Sequence, residues 1–185
     1  MTQLLIAVAI VAAVGILIYN TLVGRRNQCD NIFASIDALL KKRYNLIPNL
    51  VSLVKESMAY EKGLLEKVTE LRAKAMRPDL SPEQKIAIAD ELAQPLHGLM
   101  VAVENYPELK ASEQISQLMR SLNEIEEQIA AARRAYNQAV TDYNNARQMF
   151  PSSLIAGWFS FESKPLFEIP EEVRENIDVQ ELLKR

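Results

Sequence analysis

The sequence predicts an all-α protein: an N-terminal transmembrane helix followed by an up-and-down antiparallel four-helix bundle with long coiled-coil-like helices. Two observations carry that reading. Residues 1–24 hold no charged side chain and are followed at once by Arg25 and Arg26. Between Ser112 and Phe150, apolar side chains recur at alternating spacings of three and four, the 3.5-residue period of helices that pack along a seam.

The first element is the anchor. The run LLIAVAIVAAVGILIY, Leu4 to Tyr19, is almost wholly apolar. Extended through Leu22 and Val23 it reaches about twenty residues, enough to cross a hydrocarbon core of ~30 Å as a helix. The anchor residues are Leu4, Leu5, Ile6, Val8, Ile10, Val11, Val14, Ile16, Leu17, Ile18 and Tyr19, with the Tyr19 ring at headgroup level. A cleavable signal peptide fits less well. Met1-Thr2-Gln3 offers no basic n-region, and the small triplet Ala7-Val8-Ala9 lies inside the apolar run. A buried core helix would carry a polar stripe, and none appears before Asn20. Arg25, Arg26, Lys41, Lys42 and Arg43 all follow the span, so the positive-inside rule places the body in the cytoplasm. The periplasmic or extracellular side is the alternative.

The helical phase continues out of the membrane through Leu22, Cys29, Phe33, Ile36 and Leu40, so anchor and first bundle helix read as one rod ending near Tyr44. Asn45 is then expected to cap a second helix, with Pro48 in its first turn, where a missing N–H costs little. That helix carries Leu46, Leu50, Leu53, Leu64, Val68 and Leu71 on one stripe, with Val51, Val54, Met58 and Leu65 beside it, wide enough to face two neighbours. The stretch RPDLSPE is a turn in which Ser81 caps and Pro82 opens the third helix. Ile86, Leu92, Leu96, Leu99 and Val103 follow, and Pro95 is expected to kink or break the helix near Ala93. Asn105-Tyr106-Pro107 ends it. The fourth helix carries its seam on Ile115, Leu118, Leu122, Ile125, Ile129, Ala132, Tyr136, Ala139, Tyr143, Ala146 and Phe150. Three domains result: residues 1–24 as anchor, 25–161 as bundle with an aromatic base, and 162–185 as a charged tail, which beyond Lys164-Pro165 is expected to be mobile or a short surface helix.

Composition excludes several classes. Net charge is −3, with basic and acidic residues interleaved, so no one-sided basic face marks a nucleic-acid partner. There is no CxxC, HExxH, GxSxG or GxxxxGK[ST], and a di-iron bundle would need Glu-x-x-His where position 94 is Gln. His97 stands without a triad or ligand set, and reads as a packed or rim residue. Asp90–Glu91 and Glu126–Glu127 are adjacent in sequence and point apart on a helix. Cys29 falls in phase with the seam and reads as a buried, inert thiol. No cofactor, metal site, catalytic residue or small-molecule substrate is expected.

Five segments bear a family likeness: YNTLVGRRNQ (Tyr19–Gln28), IDALLKKRYNLIPNLV (Ile36–Val51), VENYPELKAS (Val103–Ser112), IAAARRAYNQAVTDYN (Ile129–Asn144) and FPSSLIAGWFSF (Phe150–Phe161). Together they resemble the LemA family of bacterial membrane proteins, in order and spacing, from about Tyr19 to Phe167. Departures are Phe33 where a tryptophan is usual, Tyr60-Glu61 for a histidine–glutamate pair, and Pro95 in a helix typically unbroken. The resemblance implies a helical bundle behind a single-pass anchor in the bacterial inner membrane; it implies no mechanism.

Three features invite a functional reading. Lys41, Lys42 and Arg43 sit beside the expected first turn, either as a solvated helix end or as a docking patch for an acidic partner. Twenty-four helical residues from Asn20 would place them roughly 36 Å from the membrane. Tyrosine–asparagine pairs recur at Tyr44-Asn45, Tyr136-Asn137 and Tyr143-Asn144; the last two put rings in the seam and amides beside it, where they can satisfy neighbouring helix ends or fix register. After the fourth helix, which returns to the bilayer, come Phe150, Leu154, Ile155, Trp158, Phe159 and Phe161 in a charge-free run. They form a cluster folded on the bundle's base, a membrane-interface segment, or a contact between subunits. The expected function is a scaffold or adaptor acting through an unidentified membrane or cytoplasmic protein partner, with membrane lipid around the anchor. Lateral self-assembly into a homo-oligomer, with or without membrane remodelling, is the alternative; an enzyme with an unrecognised site is the remote one.

Overall fold

A computed structural model describes residues 1–167. Within them the chain is helical, with no strand. The elements are α1 (Thr2–Val54), a 3-10 turn (Ala59–Glu61), α2 (Lys62–Ala75), α3 (Pro82–Glu104), α4 (Pro107–Lys110), α5 (Glu113–Gln148) and α6 (Ser152–Trp158). The tail expected to be mobile or a surface helix lies, from residue 168 on, outside the described residues.

α1 is a single helix of 53 residues. Its first part is exposed on every side, while beyond Tyr19 one stripe is buried. At about 1.5 Å per residue, the length from Asn20 to Val54 carries it some 50 Å past the anchor. The turn expected near Tyr44 is not there. Asn45 caps no helix, Pro48 lies inside α1, and the chain reverses only after Val54. Proline at position 48 removes the donor that the Tyr44 carbonyl would use. Arg72 Nε, from α2, supplies one at 2.8 Å. A local signal for a helix start is thereby overridden by a contact from another helix.

The other helices take their directions from cross-contacts. α2 runs back along α1, Arg72 meeting Tyr44. α3 returns beside both, with Lys85 on Asp37 at 2.9 Å, Lys67 on Glu91 at 2.9 Å and Gly98 against Leu64. Ser81 caps α3 with Pro82 in the first turn, as the turn chemistry predicts, and Gln84 adds the reciprocal bond of a capping box. α3 runs unbroken through Pro95, so of the kink or break expected near Ala93 the break is not there. Ile86, Ala89, Leu92, Leu96, Leu99 and Val103 bury one continuous face of it, and that packing holds the helix across the missing hydrogen bond. α3 is also apolar enough to cross a membrane, but that same face is already covered by protein. α5 is capped by Ser112 and runs antiparallel along the part of α1 that lies beyond the exposed N-terminal stretch. Every seventh seam residue, Ile115, Leu122, Ile129, Tyr136 and Tyr143, is buried. They meet Leu22, Cys29, Ile36 and Leu50, the matching sevens of α1, in one core. Toward the apolar N-terminal stretch of α1, α2 and α3 no longer flank the α1–α5 pair. There α6 and the segment that follows it fill the groove.

Candidate membrane-proximal site

The groove between α1 and α5 is closed by residues 161–167, which the sequence places in base and tail. They are docked there, so the first residues of the charged tail, 162–167, pack on the bundle. Two asparagines read their backbone. Asn144 Nδ2 donates to the Lys164 carbonyl at 3.0 Å and its Oδ1 accepts from the Lys164 N–H at 3.1 Å. Asn137 does the same for Phe167, at 3.0 and 2.9 Å. The match is metric. Seven residues of helix advance about 10.5 Å, and three residues of near-extended chain advance about 10 Å. Tyr143 OH donates to the Glu162 carbonyl at 2.8 Å, and Lys164 Nζ pairs with Asp30 of α1 at 2.6 Å.

Two aromatic rings seal this strap. Phe167 is buried, stacks on Phe33 at 6.4 Å between centroids, and meets the Tyr136 edge at 5.4 Å. The Arg133 guanidinium lies 4.7 Å over the same ring while pairing with Asp90 of α3 at 2.6 Å. Phe161 is buried between Tyr19, at 5.7 Å, and Arg26, at 5.4 Å. Burial pushes the Tyr136 phenol up to about 12 and raises Tyr143, Tyr44 and the Cys29 thiol. All four therefore stay neutral at ordinary pH, and Cys29 is a poor nucleophile.

The six aromatic-base residues are divided by the fold. Phe161 is buried and Ile155 is half-covered, its Cδ1 lying 3.9 Å from where a Cβ on Gly15 would sit. Phe150, Leu154, Trp158 and Phe159 are exposed, although the Phe159 ring also touches Tyr19 at 4.7 Å. Of the anchor residues, Leu4, Leu5, Ile6, Val8, Ile10, Val11, Val14, Ile16 and Leu17 are exposed to whatever surrounds the helix. Ile18 and Tyr19 are partly covered, together with Gly15.

The basic patch also divides. Lys41 and Lys42 are exposed on the flank of α1, no longer beside a turn. Arg43 is 1% exposed and pairs with Glu126 of α5 at 2.5 Å, so it is withdrawn from any docking surface. A sequence signal for this existed: counting sevens from Leu22 through Cys29 and Ile36 lands on Arg43, then Leu50. Arg72, Phe167 and Gly15 carried no comparable signal, because each acts through a partner distant in sequence. Among the described residues no group of three or more His, Cys, Asp or Glu is placed to hold a metal ion, and His97 is exposed.

Comparison with known proteins finds relatives of this sequence. The model of the LemA family matches residues 32–180. The Protein LemA of Metamycoplasma hominis is 24% identical over 88% of this chain and 74% of its own length. Magnetosome protein MamQ 2 of Paramagnetospirillum magneticum is 24% identical over 81% of this chain, which spans 64% of that relative, just under two thirds. Magnetosome protein MamQ of Magnetospirillum gryphiswaldense is 22% identical over 83% of this chain and 68% of its own length.

Proposed function

This chain belongs to the LemA family, and on that footing we propose that it is a membrane-anchored, non-catalytic scaffold that holds protein partners at a distance from the bilayer. The observation that carries the proposal is α1, one uninterrupted helix joining the apolar anchor to the body. A break between anchor and body would leave the body's orientation to a linker. A continuous helix transmits the anchor's orientation to every surface above it. We read α1, α2, α3 and α5 as an up-and-down bundle with a coiled-coil-like α1–α5 seam, residues 1–24 as anchor, and the body as running through the docked strap to 167. The body faces the cytoplasm of a bacterial inner membrane by the positive-inside rule. The names of the family and of the magnetosome relatives denote no enzyme, which supports the non-catalytic part.

On this reading Lys41 and Lys42 remain the candidate docking residues for an acidic partner. The test is a photo-crosslinking amino acid placed at 41 or 42 of the full-length protein in native membranes. A discrete adduct with one other protein, absent when the probe sits at the buried position 43, supports the scaffold. A ladder of the chain with itself favours the rival, lateral self-assembly. No adduct at either position removes these two residues from the interface.

A further inference from the structure

α6 lies against the last two turns of the anchor, not below or beyond them. Ile155 packs on Gly15 and Phe159 on Tyr19, and Ile18 and Leu22 on the same stripe of α1 are also covered. That contact forces a choice. If α6 stood in water, Gly15 would stand there too, and Leu4–Val14 would remain as the span. Eleven helical residues cover about 16 Å, roughly half of a ~30 Å hydrocarbon core. The anchor spans only if α6 enters the bilayer with it.

The chemistry of α6 suits that position. Leu154 and Trp158, one turn apart, are 54% and 79% exposed on the face turned from the protein, and Phe150 beside them is 81% exposed. Phe150 is the next seventh residue of the α5 seam after Tyr143, yet no part of the body covers it. A hydrophobic patch of this kind marks a surface with a partner. The backbone is prepared for low water. The N–H groups of Ser153, Leu154, Phe159 and Phe161 donate to the carbonyls of Met149, Pro151, Ile155 and Ala156 at 2.8 to 3.2 Å. Ser152 Oγ turns inward to the Ala146 and Met149 carbonyls. Residues 148–161 carry no charge, and Arg25, Arg26 and Arg147 follow directly on the side away from the anchor's start.

We propose that the turn from Phe150 through Phe159 is a second, monotopic membrane element, seated in the leaflet from which the body emerges, with Trp158 at the boundary between headgroups and acyl chains. It rests on the anchor reading and adds a second contact with lipid, so that the body stands on two points and cannot swivel freely about α1. A lipid leaflet is the occupant the anchor itself places beside this patch.

Trp158 is the single tryptophan of the chain, so its fluorescence reports the site without labelling. The full-length protein is reconstituted in phosphatidylcholine–phosphatidylglycerol vesicles carrying bromine at shallow or deep acyl positions, and carbonate extraction is run on the same sample. Retention in the membrane with blue-shifted emission, quenched more by shallow than by deep bromine, is the expected result. Leu154→Glu, at an exposed position, is expected to cut that quenching at least twofold while the protein stays membrane-bound. Retention with unquenched, water-like emission overturns the foot and leaves the anchor standing. Release by carbonate overturns both. Blue-shifted emission that lipid bromine does not quench, and that reverts when protein is diluted in lipid, assigns the patch to a second copy and also overturns the proposal.

Discussion

Arg72 donates to the carbonyl of Tyr44 across the space between α2 and α1, at 2.8 Å. That carbonyl is the one residue 48 would serve in a regular helix, and residue 48 is proline. The guanidinium replaces a hydrogen bond the main chain cannot make, and α1 passes Pro48 without ending. The continuity of α1 past Pro48 thus depends on a side chain from the next helix.

If so, Arg72 and Pro48 are energetically coupled. Arg72→Met is expected to cost about 1–3 kcal/mol, the range for losing a charged donor to a partly buried carbonyl. In a Pro48→Ala background the backbone N–H returns, and the same substitution is expected to cost on the order of 1 kcal/mol less. Thermal melts of the four proteins in mild detergent, followed by circular dichroism at 222 nm, give the cycle. Equal costs in both backgrounds would mean that Arg72 does not serve the orphaned carbonyl.

The Arg43–Glu126 pair joins unequal partners, one buried and one half-exposed. Glu126→Ala leaves a buried guanidinium without its counter-ion and is expected to destabilise by about 2–4 kcal/mol. Arg43→Met leaves a carboxylate that turns to water and fills the heptad position with an apolar side chain, so its expected cost is smaller, about 0–2 kcal/mol. The order of the two melting temperatures decides the matter.

Stability should fall on the alkaline side. An unfolded tyrosine ionises near pH 10, while Tyr136 in the fold holds its proton to about 12. Between those values the unfolded state binds fewer protons than the native one, so unfolding is favoured as pH rises, by on the order of 2–3 kcal/mol when the window is crossed. Below pH 10 this group contributes no pH dependence. Urea titrations at pH 8 and pH 11.5 should show the loss in the wild type and a smaller one in Tyr136→Phe.

The strap is held by amides of fixed polarity. Asn137→Asp keeps the acceptor for the Phe167 N–H but sets a carboxylate oxygen against the Phe167 carbonyl, and is expected to cost about 1–3 kcal/mol. Hydrogen exchange is the direct readout. The amides of Lys164 and Phe167 should lose protection in Asn144→Ala and Asn137→Asp respectively, while amides at the middle of α5 keep theirs.

The sequence alone determined the helical class, the apolar N-terminal run of α1, the Ser81 cap of α3 and the α5 seam, because each rests on local chemistry or on a period that a single helix carries within itself. Ile115 through Tyr143 are legible for that reason, and Leu4 through Tyr19 for the same one. Tertiary contact decided the rest. Pro48 signals a helix start and lies mid-helix because Arg72 answers its carbonyl; Arg43 signals a surface charge and is buried because Glu126 reaches it; Phe167 signals a tail and is core because Asn137 holds its backbone. In each case the stabilising group lies between 24 and 83 residues from the position it controls. Periodicity reports which face of a helix is apolar, and it is silent on which distant polar group will be brought to that face.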